Sequence, residues 1–189
     1  FSLERYNPAT GHYYKFVSDG ATNWYQSFLD AERAHLFTMQ GYFATIASDA
    51  EDLFLTYQLQ GGAAFIGASD NSTFSSTEGN WYWISGPEAG TQFSQGNQPS
   101  MTVLTYANWD TPNEPNNGGA GNQDYCHMMT DGTWDDVENA GGSTGVWDLE
   151  GYFIEFGGMP GDPANDLYGV VDIYVTNSTK PNPVISGPS

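Results

Sequence analysis

The sequence pattern changes at Gly61-Gly62, and this change limits the fold more than any other feature. Before this point the chain carries two helical patterns. After it, short aromatic segments alternate with loops rich in Gly, Pro, Asn and Ser, which is typical of β-strands. Helices followed by strands predict an α+β domain. A chain of 189 residues is long enough for one domain with a sizeable core, and we expect a binding site in its loop-rich second half.

Both predicted helices have start signals. The first runs from Trp24 to Ala34, with Asn23 as its N-cap and an apolar face for the core. Ser48 and Glu51 form a capping box for the second helix. We expect the second helix to bury three large side chains, those of Leu53, Phe54 and Tyr57.

The chain is strongly acidic, with 23 Asp and Glu residues against four Lys and Arg and a formal net charge of −19. Such a surface repels phosphate backbones, which argues against nucleic acid as a partner, and it is poorly matched to anionic membranes. The sequence has no run of 18 apolar residues, so we expect no membrane insertion. This composition is expected of a secreted protein that works in salt or alongside calcium, and plain solubility explains it equally well.

A cluster of oxygen-bearing side chains follows the turn at Pro112-Asn113. Five such side chains fall within 23 residues, namely Glu114, Asn116, Asp124, Asp135 and Asp136. Calcium takes six to eight oxygen ligands in flexible geometry, so this spacing indicates a calcium site held by a turn and a strand. Taken singly, each piece has an ordinary reading as a turn or as solvated surface acids.

Several segments resemble the motifs of the C-type lectin family, in the family's order. They are GYFATI at 41–46, FIGASD at 65–70, EGNWYW at 78–83, NW at 108–109, the turn with Glu114-Pro115-Asn116, and the final YFIEF at 152–156. The resemblance covers about Tyr13 to Phe156. It implies two helices and antiparallel strands with a long calcium-binding loop region.

The resemblance also implies a function for the oxygen cluster. In this family, two vicinal hydroxyls of a sugar coordinate a Ca²⁺ ion, and the metal ligands also hydrogen-bond those hydroxyls. All five residues of the cluster are then metal ligands, and all but Asp136 also bind the sugar. The resemblance implies a cis peptide bond before Pro115. The Glu-Pro-Asn order implies the mannose-type class, which includes mannose, fucose and N-acetylglucosamine, as part of cell-surface glycans.

Asp135 is a departure from the family, which has Asn at that position. Four carboxylates then surround the metal, and only Asn116 can donate a hydrogen bond. The preferred sugar therefore stays open between fucose and mannose. Some family members bind an auxiliary calcium, for which Asp70 and Glu78 are the candidates in this chain.

Cysteine usage sets this chain apart from animal members of the family, which carry two disulfides. Here Cys126 is the single cysteine, and we expect it to be a buried small hydrophobe. The family's other cysteine positions fall on Leu36, Asn139 and Ile154, so packing has to replace the crosslinks. Extracellular proteins that fold without disulfides are common in bacteria, so the sequence favours a bacterial surface or secreted protein.

The chain reads as a piece of a larger protein, because it begins at Phe1 without Met. We expect residues 1–158 to form the lectin-like domain. Residues 159–189 add a strand at 167–175 and a linker towards a neighbouring domain, as in a large adhesin.

Three classes of function compete. A calcium-dependent carbohydrate-binding module for adhesion fits best, and a protein- or ice-binding module on the same fold is the alternative. An enzyme is not expected, because His12, His35 and His127 are scattered and lie in no catalytic arrangement of recognisable spacing. His35 is expected on the first helix in a structural role.

Overall fold

A computed structural model describes residues 3–18, 23–58, 62–75, 77–118, 122–141 and 149–163. These ranges contain the helices α1 (Trp24–Arg33) and α2 (Asp49–Thr56). Their strands are β1 (Arg5–Asn7), β2 (His12–Ser18), β3 (His35–Leu36), β4 (Met39–Phe43), β5 (Ala63–Ser69), β6 (Asn80–Trp83), β7 (Gln92–Gln95), β8 (Thr102–Val103), β9 (Tyr125–Met128), β10 (Trp134–Val137) and β11 (Leu149–Phe156). The α+β prediction is confirmed. The strand predicted at 167–175 lies outside the described residues.

The strands pair in the order β1-β2-β11-β5-β6-β7-β8, with β4 joined to β11 and β9 joined to β5. Most pairings are antiparallel, including β9 with β10 and β2 with β11. The pairing of β5 with β11 is parallel. No helix in the described ranges is long and apolar enough to cross a membrane.

Helix α1 forms as its sequence predicts. The side chain of Asn23 accepts a hydrogen bond from the backbone N–H of Gln26 at 2.9 Å, which satisfies a free donor of the first turn. Trp24 and Ala31 are fully buried, and the indole of Trp24 donates to the carbonyl of Ile66 at 2.9 Å. The helix ends at Arg33, so the prediction that His35 lies on it is wrong; His35 lies in β3.

Helix α2 starts at the predicted cap but buries a different face. Ser48 accepts from the N–H of Glu51 at 3.3 Å. Leu53 and Tyr57 are 51% and 80% exposed, so the prediction that they are buried is wrong. Only Phe54 of the three predicted side chains packs against the core. The helix instead buries Glu51, Asp52 and Leu55, because hydrogen bonds to core groups satisfy the two carboxylates.

The core consists of two clusters of buried side chains. One contains Trp81, Trp83, Trp109 and Trp134, which come from the tryptophan-bearing motifs of the sequence, and it also holds Cys126. The thiol of Cys126 is free and fully buried, as expected. The other cluster contains Trp24, Phe43, Phe65, Ile154 and Phe156, and Leu36 packs against it. Leu36 and Ile154, two of the positions where the family has cysteine, therefore pack in the same apolar cluster.

Gly67 allows the middle of β5 to lie against the end of β4. A Cβ atom added at this residue would stand 2.6 Å from the carbonyl oxygen of Phe43 and 2.9 Å from that of Ala44. The N–H of Gly67 donates to Ala44 at 2.7 Å. The close approach of two backbones explains why this position of the core strand is glycine.

Candidate metal centre

The loop that carries Glu114 is held by its own turn and by a neighbouring loop. The backbone N–H of Glu114 donates to Asp110 at 2.8 Å, and the peptide bond between Glu114 and Pro115 is cis, as predicted. Gln98 reaches across from the loop between β7 and β8. Its backbone N–H donates to the carbonyl of Pro115 at 2.8 Å and its side-chain amide to that of Glu114 at 3.1 Å. The turn is therefore preformed.

Strand β10 supplies Asp135 and Asp136 directly beside this loop. Trp134 anchors the strand, since its N–H donates to Asn108 and its carbonyl accepts from Asp110, at 2.8 and 2.9 Å. These two bonds fix the position of the aspartates relative to the turn that carries Glu114.

Three carboxylates meet at this point. One oxygen each of Glu114, Asp135 and Asp136 lies within 4.8 Å of the others. Asp135 and Asp136 are buried, at 5% and 0% exposure. Asp136 accepts hydrogen bonds from the backbone N–H groups of Asn116 and Asn117, both at 2.7 Å. One oxygen of Glu114 is buried and has no hydrogen-bond partner in the described part of the chain.

Crowding of buried carboxylates perturbs their protonation. Burial, and then the charge of Asp135, raise the pKa of Glu114 to about 9. Burial also raises the pKa of Asp136, although its two backbone hydrogen bonds oppose this. Such a cluster is costly without a counter-charge, and a hard divalent cation would supply one. The all-oxygen donor set fits calcium rather than a softer metal.

Asn116 contributes its backbone N–H to this arrangement, and the residue itself is exposed. Its side-chain oxygen lies beside Gly118. Asn117 and Gln123 close the loop, since Asn117 accepts from the N–H of Gln123 at 3.1 Å and Gln123 accepts from the N–H of Gly118. The sequence gives no signal for this bracing by Gln123, or for that by Gln98.

Asp124 lies in a second group of carboxylates, together with Asp70 and Glu78. One oxygen from each of these residues lies within 4.8 Å of the other two. The amide of Asn71 donates to Asp124 at 2.6 Å, and Ser69 donates to its carbonyl at 2.7 Å. These bonds keep Asp124 beside the end of β5. The structure thus groups Asp124 with the two candidates for an auxiliary cation rather than with Glu114.

Asp70 is the buried member of this second group. It is 2% exposed, and one of its oxygens accepts from the N–H of Gly79 at 2.7 Å. The other oxygen is buried without a hydrogen-bond partner in the described ranges. Burial raises the pKa of Asp70 to about 8, with the charge of Glu78 as a further cause. The donor set is again compatible with calcium.

Comparison with known proteins identifies the family. The Lectin C-type domain matches residues 23–140, which is more than half of the chain. This chain belongs to the C-type lectin domain family. Halomucin from Haloquadratum walsbyi (strain DSM 16790 / HBSQ001) is 34% identical over 157 residues, which cover 82% of this chain and 2% of that protein. The chain therefore spans only a small part of the length of this relative.

Solved C-type lectin domains share the fold. The C-type carbohydrate-recognition domain of cow CD23, solved in the presence of a GlcNAc2Man3 oligosaccharide, is 24% identical with a TM-score of 0.56, and the match covers 81% of this chain and 96% of that one. The C-type lectin CEL-I from Cucumaria echinata is 18% identical with a TM-score of 0.56, and the match covers 78% of this chain and 91% of that one. The C-type lectin prediction is confirmed. As a member of a lectin family, this domain is a binding module and not an enzyme.

Proposed function

We propose that this C-type lectin domain binds carbohydrate through a calcium ion held by Glu114, Asn116, Asp135 and Asp136. The observation that carries the proposal is the unpartnered, buried oxygen of Glu114 within a group of three carboxylates. Buried polar groups are nearly always satisfied, so an unpartnered oxygen beside two aspartates points to an absent cation. Calcium completes its coordination with hydroxyl oxygens, which a sugar supplies.

The donor set restricts which sugars fit. Carboxylates only accept hydrogen bonds, so a sugar hydroxyl facing Asp135 has to donate. Only the amide of Asn116 can donate to a hydroxyl from within this group. The Glu-Pro-Asn order supports fucose- or mannose-type glycans, and the aspartate at position 135 is expected to shift the rank order within that class.

We propose a second cation at Asp70, Glu78 and Asp124. Asp124, which the family resemblance places in the sugar site, is assigned here to this second group because Asn71 and Ser69 hold it beside Asp70. A cation here would tie β5 to the loop before β9 and would stabilise the sugar site indirectly. Both ions are expected to bind at extracellular calcium concentrations, roughly 10⁻⁴–10⁻³ M.

We further propose that the domain works outside the cell as one module of a long adhesive surface protein. The match to Halomucin, which covers 2% of that protein, supports a modular context. The bacterial source and the neighbouring domains stay predictions.

Calcium titration of single variants tests the metal part of the proposal. Glu114→Gln and Asp136→Asn are expected to weaken calcium binding at least tenfold, and Asp70→Asn is expected to remove one of two binding events. Glu138→Gln is the matched control, because Glu138 is an exposed carboxylate directly after β10. Calorimetry and the calcium-dependent rise in melting temperature measure both effects. No calcium binding by the unmodified protein would overturn the proposal.

A glycan array with calcium and with EDTA tests the sugar part. Binding to fucose- or mannose-type glycans that disappears with EDTA and in Asp136→Asn, but persists in Glu138→Gln, is the expected outcome. Calcium-independent attachment to a protein or to ice would favour the alternative function instead.

A further inference from the structure

A buried histidine lies behind the proposed sugar site. His127 is in β9, where it is paired across the ladder with Asp135 of β10 and with Phe65 of β5. Residues directly opposite each other in an antiparallel pair project to the same face, so the two side chains are neighbours. His127 has no exposed surface. Any hydrogen-bond partner of the imidazole therefore has to come from inside the protein.

The ring nitrogens of His127 have no hydrogen-bond partner in the described part of the chain. Nε2 lies 3.5 Å from Oδ2 of Asp135, slightly beyond a good hydrogen bond. A neutral imidazole always carries one N–H donor, and a buried donor without a partner costs about 1–3 kcal/mol. A hydrophobic residue at this position would not carry this cost. The presence of a buried histidine therefore needs an explanation.

We propose that His127 is a positioning residue for Asp135 in the calcium- and sugar-binding site. This inference rests on the proposed function. Nε2–H of His127 donates to Oδ2 of Asp135 and holds that oxygen inwards, which leaves the other oxygen of the carboxylate for the cation and the sugar. A shift of a few tenths of an ångström brings the pair into hydrogen-bond range. Hydrogen bonds to metal ligands from behind fix ligand orientation in this way.

The pairing also gives Asp135 a specific role in sugar choice. An aspartate with one oxygen engaged by His127 presents a single, fixed acceptor to the sugar. A freely rotating carboxylate would offer either oxygen in several directions. The His127–Asp135 pair is therefore expected to narrow the set of hydroxyl geometries that the site accepts.

A double-mutant cycle tests the inference. His127→Phe is expected to weaken calcium binding about tenfold or more when Asp135 is present. In the Asp135→Ala background the same change is expected to matter less than twofold, since the acceptor that His127 orients is gone. His127→Gln, which keeps a donor, is expected to recover part of the affinity. Met128→Leu on the same strand controls for repacking of the core.

An effect of His127→Phe that is the same in both backgrounds would show a merely structural role and would overturn the inference while leaving the calcium site in place. If the unmodified protein binds no calcium, the proposed function and the inference both fail. A second readout needs no metal. The ¹⁵N spectrum of the calcium-free protein is expected to show the proton of His127 on Nε2, and a proton on Nδ1 would contradict the pairing.

Discussion

The hydroxyl group of Tyr14 lies between two buried carboxylates. Its oxygen is 2.5 Å from Oε1 of Glu51 and 3.0 Å from Oε1 of Glu155. One hydroxyl proton cannot satisfy both acceptors, so a second proton stabilises the arrangement. Nδ1 of His12 lies 2.5 Å from Oε1 of Glu155 and is a hydrogen-bond partner of that carboxylate. Burial, and then the charge of Glu155, raise the pKa of Glu51 to about 7, which makes Glu51 the group that holds the extra proton.

A raised pKa at Glu51 makes stability depend on pH in a defined direction. Because the folded state holds this proton more tightly than the unfolded state, the contribution of Glu51 is fully present below pH ~4.5 and is lost as the pH rises through about 7. Glu51→Gln, which carries no charge and offers one donor and one acceptor as the protonated acid does, is therefore expected to stabilise the protein at pH 8 by ~2 kcal/mol, or about 5 °C in melting temperature. The gain should shrink to a minor fraction of this value at pH 5. Calorimetry at both pH values measures it, and an equal gain at pH 5 would contradict the assignment.

Individual residues differ in how much of their role was visible in the sequence. Glu114, Asp135 and Asp136 were predictable as one group, because a turn and a strand carry them at a spacing that a known family shares. The grouping of Asp124 with Asp70 was not predictable from the sequence, because hydrogen bonds from Asn71 and Ser69 determine where Asp124 lies. His127 was also missed, since a partner across a strand ladder becomes visible only when the register is known.

Helix α2 shows how polar groups can decide which face of an element is buried. Its first turn carries Asp52, which accepts from the indole N–H of Trp134 at 2.7 Å and from the amide of Asn108 at 2.9 Å. Acidic groups near a helix N-terminus are also favoured by the helix dipole. These contacts turn the acidic face inwards and leave Leu53 and Tyr57 in solvent. Hydrophobic periodicity alone predicts the opposite rotation.

Loss of Asp52 should therefore cost much more than loss of another acid in the same turn. Asp52→Ala leaves the buried indole N–H of Trp134 and one N–H of the half-buried Asn108 amide unpaired, and we expect the free energy of unfolding to fall by about 2–4 kcal/mol. Asp49→Ala is the matched control, since Asp49 is exposed in the first turn of the same helix, and its effect should stay below about 1 kcal/mol. Urea unfolding of both variants compares the two. Similar losses would mean that Asp52 acts only through the helix.

The pairing of strands was less predictable than their existence. Strands of aromatic residues between Gly- and Asn-rich loops indicate β-structure locally, and β5, β6, β10 and β11 all lie where the sequence motifs place them. The parallel pairing of β11 with β5 joins segments about 90 residues apart, with several other strands between them. Local patterns carry no information about such a partner.

The whole molecule carries a formal net charge of −19, and self-repulsion of this size favours the unfolded chain. Salt screens this repulsion between charges, since the Debye length falls from about 10 Å at 0.1 M to about 3 Å at 1 M. We expect the melting temperature at saturating calcium to rise by at least about 5 °C between 0.1 and 2 M NaCl.

Sucrose at matched osmolality is the control for the salt experiment, because it favours compact states without screening charge. An equal rise in sucrose would assign the effect to solvent exclusion. The variant Glu138→Lys, at an exposed position, should slightly reduce the dependence on salt by lowering the net negative charge.

The register of β2 and β11 determines how the domain responds to a pulling force. Tyr13 is opposite Phe156, so the chain enters β2 and leaves β11 at the same end of an antiparallel pair. Tension applied where the chain enters β2 and leaves β11 loads the hydrogen bonds of this pair one after another, instead of all together as in shear. The pair should therefore unzip at low force. Single-molecule pulling between residues 9 and 160, which flank the two strands and leave β1 outside the loaded path, is expected to show this low unfolding force, and a high, shear-type rupture would contradict it.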